Sequence, residues 1–261
     1  MDSGGLLWAS SYLQAAAQEY KLWYDEPAQV WTEALPLGNG RLGAMVFGNP
    51  GVEHIQLNEE TIWAGRPNNN ANPNALEYIP KVRQLVFEGK YLEAQTLATE
   101  KIMAKTNSGM PYQSFGDLHI SFPGHTRYSD YYRELSLDSA RTIVRYKVDG
   151  VTYQRETLTS FADQVVMVRL TASQPGKITC NANLTTPHQD VMVSTEGEEV
   201  TLSGVSSWHE GLKGKVEFQG RMTARSQGGT QACRDGVLSI EGADEAVIYI
   251  SIATNLLIIR I

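Results

Sequence analysis

The sequence predicts a mainly β protein, a large two-sheet antiparallel β-sandwich with a short helical insertion near residues 75–105. Three observations carry this. Apolar and polar residues alternate strictly in several segments, as in Val216, Phe218, Gly220, Met222 and Ala224 against Lys215, Glu217, Gln219, Arg221 and Thr223. That is the period of a strand with one buried face. Asp149-Gly150 joins two strand-like runs, a strong hairpin signal. Helical periodicity is confined to one region, and many strands with polar outer faces require two packed sheets.

Composition permits such a core. The chain has 261 residues, 42% of them hydrophobic and 20% charged. Its formal net charge is −7, so the clustered basic surface that grips phosphates is not expected and no nucleic-acid partner is predicted. No apolar run approaches the roughly 20 residues of a membrane helix, and no membrane partner is predicted.

The elements follow in chain order. Residues 1–18 read as a signal-peptide remnant or disordered tail. A weak apolar stretch runs into Ala15-Ala16-Ala17, which fits a signal-peptidase site, although Met1-Asp2 replaces the usual basic start. This gives a periplasmic or secreted protein as the expected location. The β-sandwich domain is assigned to residues 19–255. Within it, Leu37-Gly38-Asn39-Gly40-Arg41-Leu42-Gly43 reads as a tight turn entering a buried strand. It lacks the Gly-Lys-Ser/Thr ending of a phosphate loop. Residues 66–74, rich in Asn and Pro, form a loop.

Ile79, Val82, Leu85 and Val86 share one helical face, and Tyr91, Ala94, Leu97, Ala98 and Ile102 do the same after Gly89. Two short amphipathic helices broken at Gly89 are expected, their stripes packing on the core. From residue 114 onward nearly everything reads as strand. The Asp149-Gly150 hairpin pairs Val148 with Val151, Tyr146 with Tyr153 and Val144 with Arg155 on one face. Residues 165–171 are apolar on both faces and should form a central strand. Cys180 is in phase with Ile178, Ala182 and Leu184 and is expected to be a buried thiol. Residues 256–261 form an apolar, abruptly stopped tail, read as a truncation.

No catalytic motif is complete. There is no Gly-x-Ser-x-Gly elbow and no His-Glu-x-x-His pair. The five histidines are scattered at spacings unlike those of metal ligands, and His188-Gln189-Asp190 and His209-Glu210 read as surface loops; no metal site and no cofactor are predicted. The strongest cluster is residues 56–67, where Asn58, Glu59, Glu60, Trp63 and Arg66 combine an amide, carboxylates, an aromatic ring and a guanidinium, as sugar-binding surfaces do. Adjacent Glu59 and Glu60 face opposite ways on a strand. They are therefore a poor glycosidase pair, which must flank one bond at about 5–10 Å.

Three ordered stretches carry a resemblance. They are Leu22-Trp23-Tyr24-Asp25-Glu26-Pro27, the run from Trp31 through Leu37-Gly38-Asn39-Gly40-Arg41-Leu42-Gly43 to Gly48, and Leu57-Asn58-Glu59-Glu60-Thr61-Ile62-Trp63-Ala64-Gly65. Together with Ser114-Phe115-Gly116-Asp117-Leu118 and Tyr131-Tyr132-Arg133-Glu134-Leu135, they resemble the N-terminal domain of glycoside hydrolase family 95, the inverting α-L-fucosidases and some α-L-galactosidases. The resemblance implies a super-β-sandwich that packs on a catalytic (α/α)6 barrel and lends loops to the pocket mouth. The family's acid and base lie on that barrel, outside this chain, so no catalytic residue is assigned here and the domain is expected to be inactive alone. Asn39, Arg41, Asn58, Glu59, Glu60, Trp63 and Arg66 become candidates for substrate binding or the domain interface. The implied partners are the barrel and fucosylated or galactosylated glycans. An apolar patch near residues 58–66 and the C-terminal tail would allow self-association. The alternative is a free-standing carbohydrate-binding module using exposed Trp and Tyr.

Overall fold

The computed structural model describes residues 20–104 and 109–256. The signal-remnant reading of residues 1–18 and the tail beyond Leu256 lie outside them. In chain order the elements are β1 (Lys21–Tyr24), β2 (Leu35–Gly38), β3 (Leu42–Val46), β4 (Val52–Glu59), α1 (Ala75–Phe87), α2 (Tyr91–Lys101), β5 (Gly116–Ser121), β6 (Ser129–Ser136), β7 (Arg141–Val148) and β8 (Val151–Thr159). They continue with β9 (Val166–Ala172), β10 (Ile178–Thr185), β11 (Val191–Glu196), β12 (Glu199–Val205), β13 (Glu217–Gln227), β14 (Thr230–Arg234), β15 (Val237–Ala243) and β16 (Glu245–Thr254).

Two sheets result. The nine-stranded sheet runs β1-β6-β7-β8-β9-β16-β13-β12-β11, and the seven-stranded sheet runs β14-β15-β10-β5-β4-β3-β2. Every strand pairing is antiparallel. One core cluster lies between the sheets, with Ile55, Leu57, Leu118 and Ile120 from one and Tyr146, Val168, Ile248 and Ile250 from the other. Cys180 belongs to it, and burial pushes its thiol up to about 12.

Alternation sets the faces. Along β4, Glu53, Ile55, Leu57 and Glu59 turn inward while His54, Gln56 and Asn58 turn outward. The inward polar residues are held: buried Arg155 on β8 meets Glu53 at 3.4 Å between Nη2 and Oε2 and donates to the Asn49 carbonyl at 2.9 Å. Burial pushes the Glu53 carboxyl up, opposed by the Arg155 charge.

The hairpin has the expected register, with Val144 opposite Arg155, Tyr146 opposite Tyr153 and Val148 opposite Val151. Asp149 and Gly150 both take positive φ, 47° and 78°, as a type I′ turn requires. β9 is the middle strand of its sheet, but only one of its faces is buried, because the outer face of this sheet carries no helical layer.

The helical region departs from expectation in its packing. α1 and α2 form where periodicity places them, but they pack on each other. Leu85 and Ala94 are their buried residues, and neither joins the core cluster. Phe87 is 87% exposed, and Leu76, Tyr91 and Leu92 are also exposed. The stripe is narrow enough to be satisfied by the partner helix, so it seals a hairpin and leaves the sandwich to its strands. Among the described residues no helix is long and apolar enough to cross a membrane.

Candidate functional site

The turn between β2 and β3 is built by its own asparagine. Asn39 Oδ1 accepts from the backbone N–H groups of Arg41 at 3.0 Å and Leu42 at 2.7 Å, while Gly40 supplies a φ of 91°. The other side of that amide reaches the opposite sheet, donating to the Ser160 carbonyl at 2.7 Å. Arg41 does likewise: Nη2 donates to the Ile252 carbonyl on β16 at 2.6 Å, and Nε lies 3.3 Å from Glu59 Oε1. Asn39 and Arg41 thus fasten one end of the sandwich together.

Glu59 ends β4 facing inward and is 2% exposed. Its Oε1 pairs with Arg41, and its Oε2 accepts from Thr61 N at 2.8 Å and Thr61 Oγ1 at 2.6 Å. Both carboxylate oxygens are engaged within the protein. Glu60, in the turn just past β4, is exposed. Asn58 points outward from β4, and its Oδ1 is buried without a hydrogen-bond partner beside a shallow pocket of about 330 Å³ lined by residues 40–43, Glu60 and Tyr112. Trp63 is 43% exposed; its Nε1 donates to the Glu60 carbonyl at 3.0 Å and its ring meets Tyr112 edge-on at 5.6 Å. Tyr112 donates to the Glu59 carbonyl at 3.2 Å, and burial, then the Glu59 and Glu60 charges, push its phenol up. Arg66 is exposed in the loop that follows.

This segment lies where the chain leaves the sandwich. The Thr61 and Thr254 hydroxyls are hydrogen-bonded, and Gly65 exchanges backbone hydrogen bonds with Ser207 and Lys215, at 2.9 and 3.0 Å. An open depression of about 830 Å³ adjoins it, lined in part by Asp190, Met192, Phe218, Thr254 and Asn255. Trp208, Met192 and Leu256 are exposed at the same end. His188 serves the fold here, with Nε2 2.9 Å from the Ser114 carbonyl, Nδ1 3.2 Å from Ser207 Oγ and the ring against Phe218.

The structure therefore brings Arg41, Asn58, Glu59, Glu60 and Trp63 to one end. It also adds Tyr112, to which no sequence signal pointed, because the contact is an isolated bridge with Trp63 across an irregular loop. What the arrangement can do chemically is stack and hydrogen-bond a ligand or a neighbouring surface. It presents one buried, engaged carboxylate and one exposed carboxylate, and among the described residues of this end the two do not face a common space as an acid–base pair.

Comparisons with known proteins agree with this architecture. The chain is 32% identical over 268 residues to "Alpha-L-fucosidase 2" of Arabidopsis thaliana, a match covering 93% of this chain and 31% of that protein. It is 28% identical to "Probable alpha-fucosidase A" of Aspergillus niger, over 90% of this chain and 30% of that protein. The Aspergillus oryzae protein of the same name is also 28% identical, over 62% and 23% respectively. The chain thus spans under a third of the length of these relatives. Residues 22–257 match the family described as "Glycosyl hydrolase family 65, N-terminal domain". This match spans nearly the whole sandwich, and the chain belongs to that glycosyl hydrolase N-terminal domain family.

Proposed function

We propose that the chain is the N-terminal β-sandwich of an α-L-fucosidase-like enzyme, inactive by itself, whose loop end packs on a catalytic (α/α)6 barrel that supplies acid and base. The carrying observation is Glu59. A buried carboxylate whose two oxygens are engaged by Arg41 and by two Thr61 donors is not presented to a substrate as a proton carrier. The exposed Trp63, Tyr112, Trp208 and Leu256 at the chain exit support a protein contact there. Without its barrel, the same end supports self-association. The names of the relatives support fucosylated glycans as substrates of the whole enzyme. Galactosylated glycans and a periplasmic or secreted location complete the reading.

The test is to assay the purified chain on an aryl α-L-fucoside, alone and mixed with a separately expressed barrel. The chain alone is expected to show no hydrolysis above buffer, since acid–base assistance and positioning supply many orders of magnitude. Turnover by the chain alone, lost in Glu60→Gln, sinks the proposal. The Trp63–Tyr112 pair favours a second reading, a free-standing carbohydrate-binding module. Binding of a fucosylated glycan by the isolated chain, lost in Trp63→Ala, supports that alternative.

A further inference from the structure

Two of the scattered histidines meet on the outer face of the seven-stranded sheet. His54 on β4 and His119 on β5 are directly opposite each other in the β4–β5 register. Asp117 lies two residues along β5 from His119 and so shares its face. The two imidazoles are 5.0 Å apart, and His54 Nε2 is 2.6 Å from Asp117 Oδ1. One ring nitrogen from each histidine and one carboxylate oxygen all lie within 4.8 Å of one another. Phe47, just past β3, stacks on His54 at 4.3 Å, so that ring is held between Phe47 on one side and His119 on the other.

We propose that His54, Asp117 and His119 form a three-ligand site for a divalent transition-metal ion of the zinc type, with a fourth position open to solvent. The donor set selects the class of ion. Two imidazoles and one carboxylate suit zinc and its borderline neighbours, whereas calcium and magnesium require mostly oxygen. Bonds of about 2.0–2.2 Å in a tetrahedral set put ligand atoms roughly 3.3–3.6 Å apart. Binding therefore draws in ligand atoms that now lie within 4.8 Å of one another and turns the stacked imidazoles, whose planes are 19° apart, until their in-plane lone pairs converge on the ion. The ion takes the place of the proton between His54 Nε2 and Asp117 Oδ1; that proton is released to solvent, directly or in exchange at Nδ1, and the bound imidazole is neutral with its one proton on Nδ1. All three side chains are half-buried on paired strands of the sheet, which limits the ordering required on binding. The site lies on β4 and β5, apart from the residues that fasten the chain exit, so it neither needs nor supplies the proposed fucosidase partnership.

Titrating the untagged, chelator-treated chain with zinc chloride in a calorimeter tests this. One ion per chain is expected, with a rise in melting temperature that EDTA reverses. His119→Gln is expected to weaken binding at least about tenfold, and His209→Gln to leave it unchanged. Proton–nitrogen NMR of the unmutated chain probes the same three ligands and does not depend on a variant that folds. Zinc must shift the ring nitrogens of His54 and His119 and leave those of His125 and His188 in place. Absence of binding, or binding that moves other histidines instead, overturns the proposal.

Discussion

At the scale of single residues, Glu59 and Glu60 show how far a sequence can be read. Their adjacency implied opposite faces of one strand; the structure buries Glu59 at the end of β4 and exposes Glu60 in the turn that follows, so the contrast is seen but the strand stops between them. What each touches was not legible. The Arg41–Glu59 pair depends on the β3–β4 register that sets Leu42 opposite Glu59. The His54–His119 contact likewise depends on the β4–β5 register, with a helical hairpin intervening in the sequence. Glu59→Gln is expected to lower stability by about 1–3 kcal/mol, because it removes a buried charge from Arg41 and replaces one of the acceptors Thr61 relies on. Glu60→Gln should stay within about 0.5 kcal/mol. Urea midpoints at unchanged m-value distinguish the two; equal effects contradict the assignment of Glu59 as the structural carboxylate.

At the scale of elements, period was the reliable signal and packing was not. The 3.6 period located both helices, but the residues that would have seated them on a sheet were not there to be read. Phe87 accordingly faces solvent. β13 shows the reverse case. Gly220 continues its inward alternation, which says nothing of why it is a glycine; in the structure a Cβ there would lie 2.2 Å from Phe115 Cζ. The glycine makes room for a buried ring from the loop before β5. Gly220→Val is therefore expected to destabilise by about 1–3 kcal/mol through overpacking. Phe87→Ser should change stability by less than about 0.5 kcal/mol. Thermal unfolding of both variants checks this, and a large loss in Phe87→Ser would mean that the helices do dock on the sandwich.

At the scale of the molecule, the count of sheets and the antiparallel pairing followed from alternation, while the strand order did not, since nothing local states which strands are neighbours. That order has a consequence for biosynthesis. β16 is the last described strand, and it lies between β9 and β13 in the nine-stranded sheet. Until it emerges from the ribosome, the meander from β6 to β9 and the trio from β11 to β13 are two half-sheets with facing raw edges. A chain stopped before Glu245 is expected to be recovered mainly as insoluble material, and one stopped after Asn255 as soluble protein; equal solubility of the two contradicts this. The nascent chain must therefore keep the β9 edge unpaired from Ala172 until β16 follows at Glu245, joined by the β13 edge from Gln227 onward, which makes it a natural client for chaperones that shield strand edges.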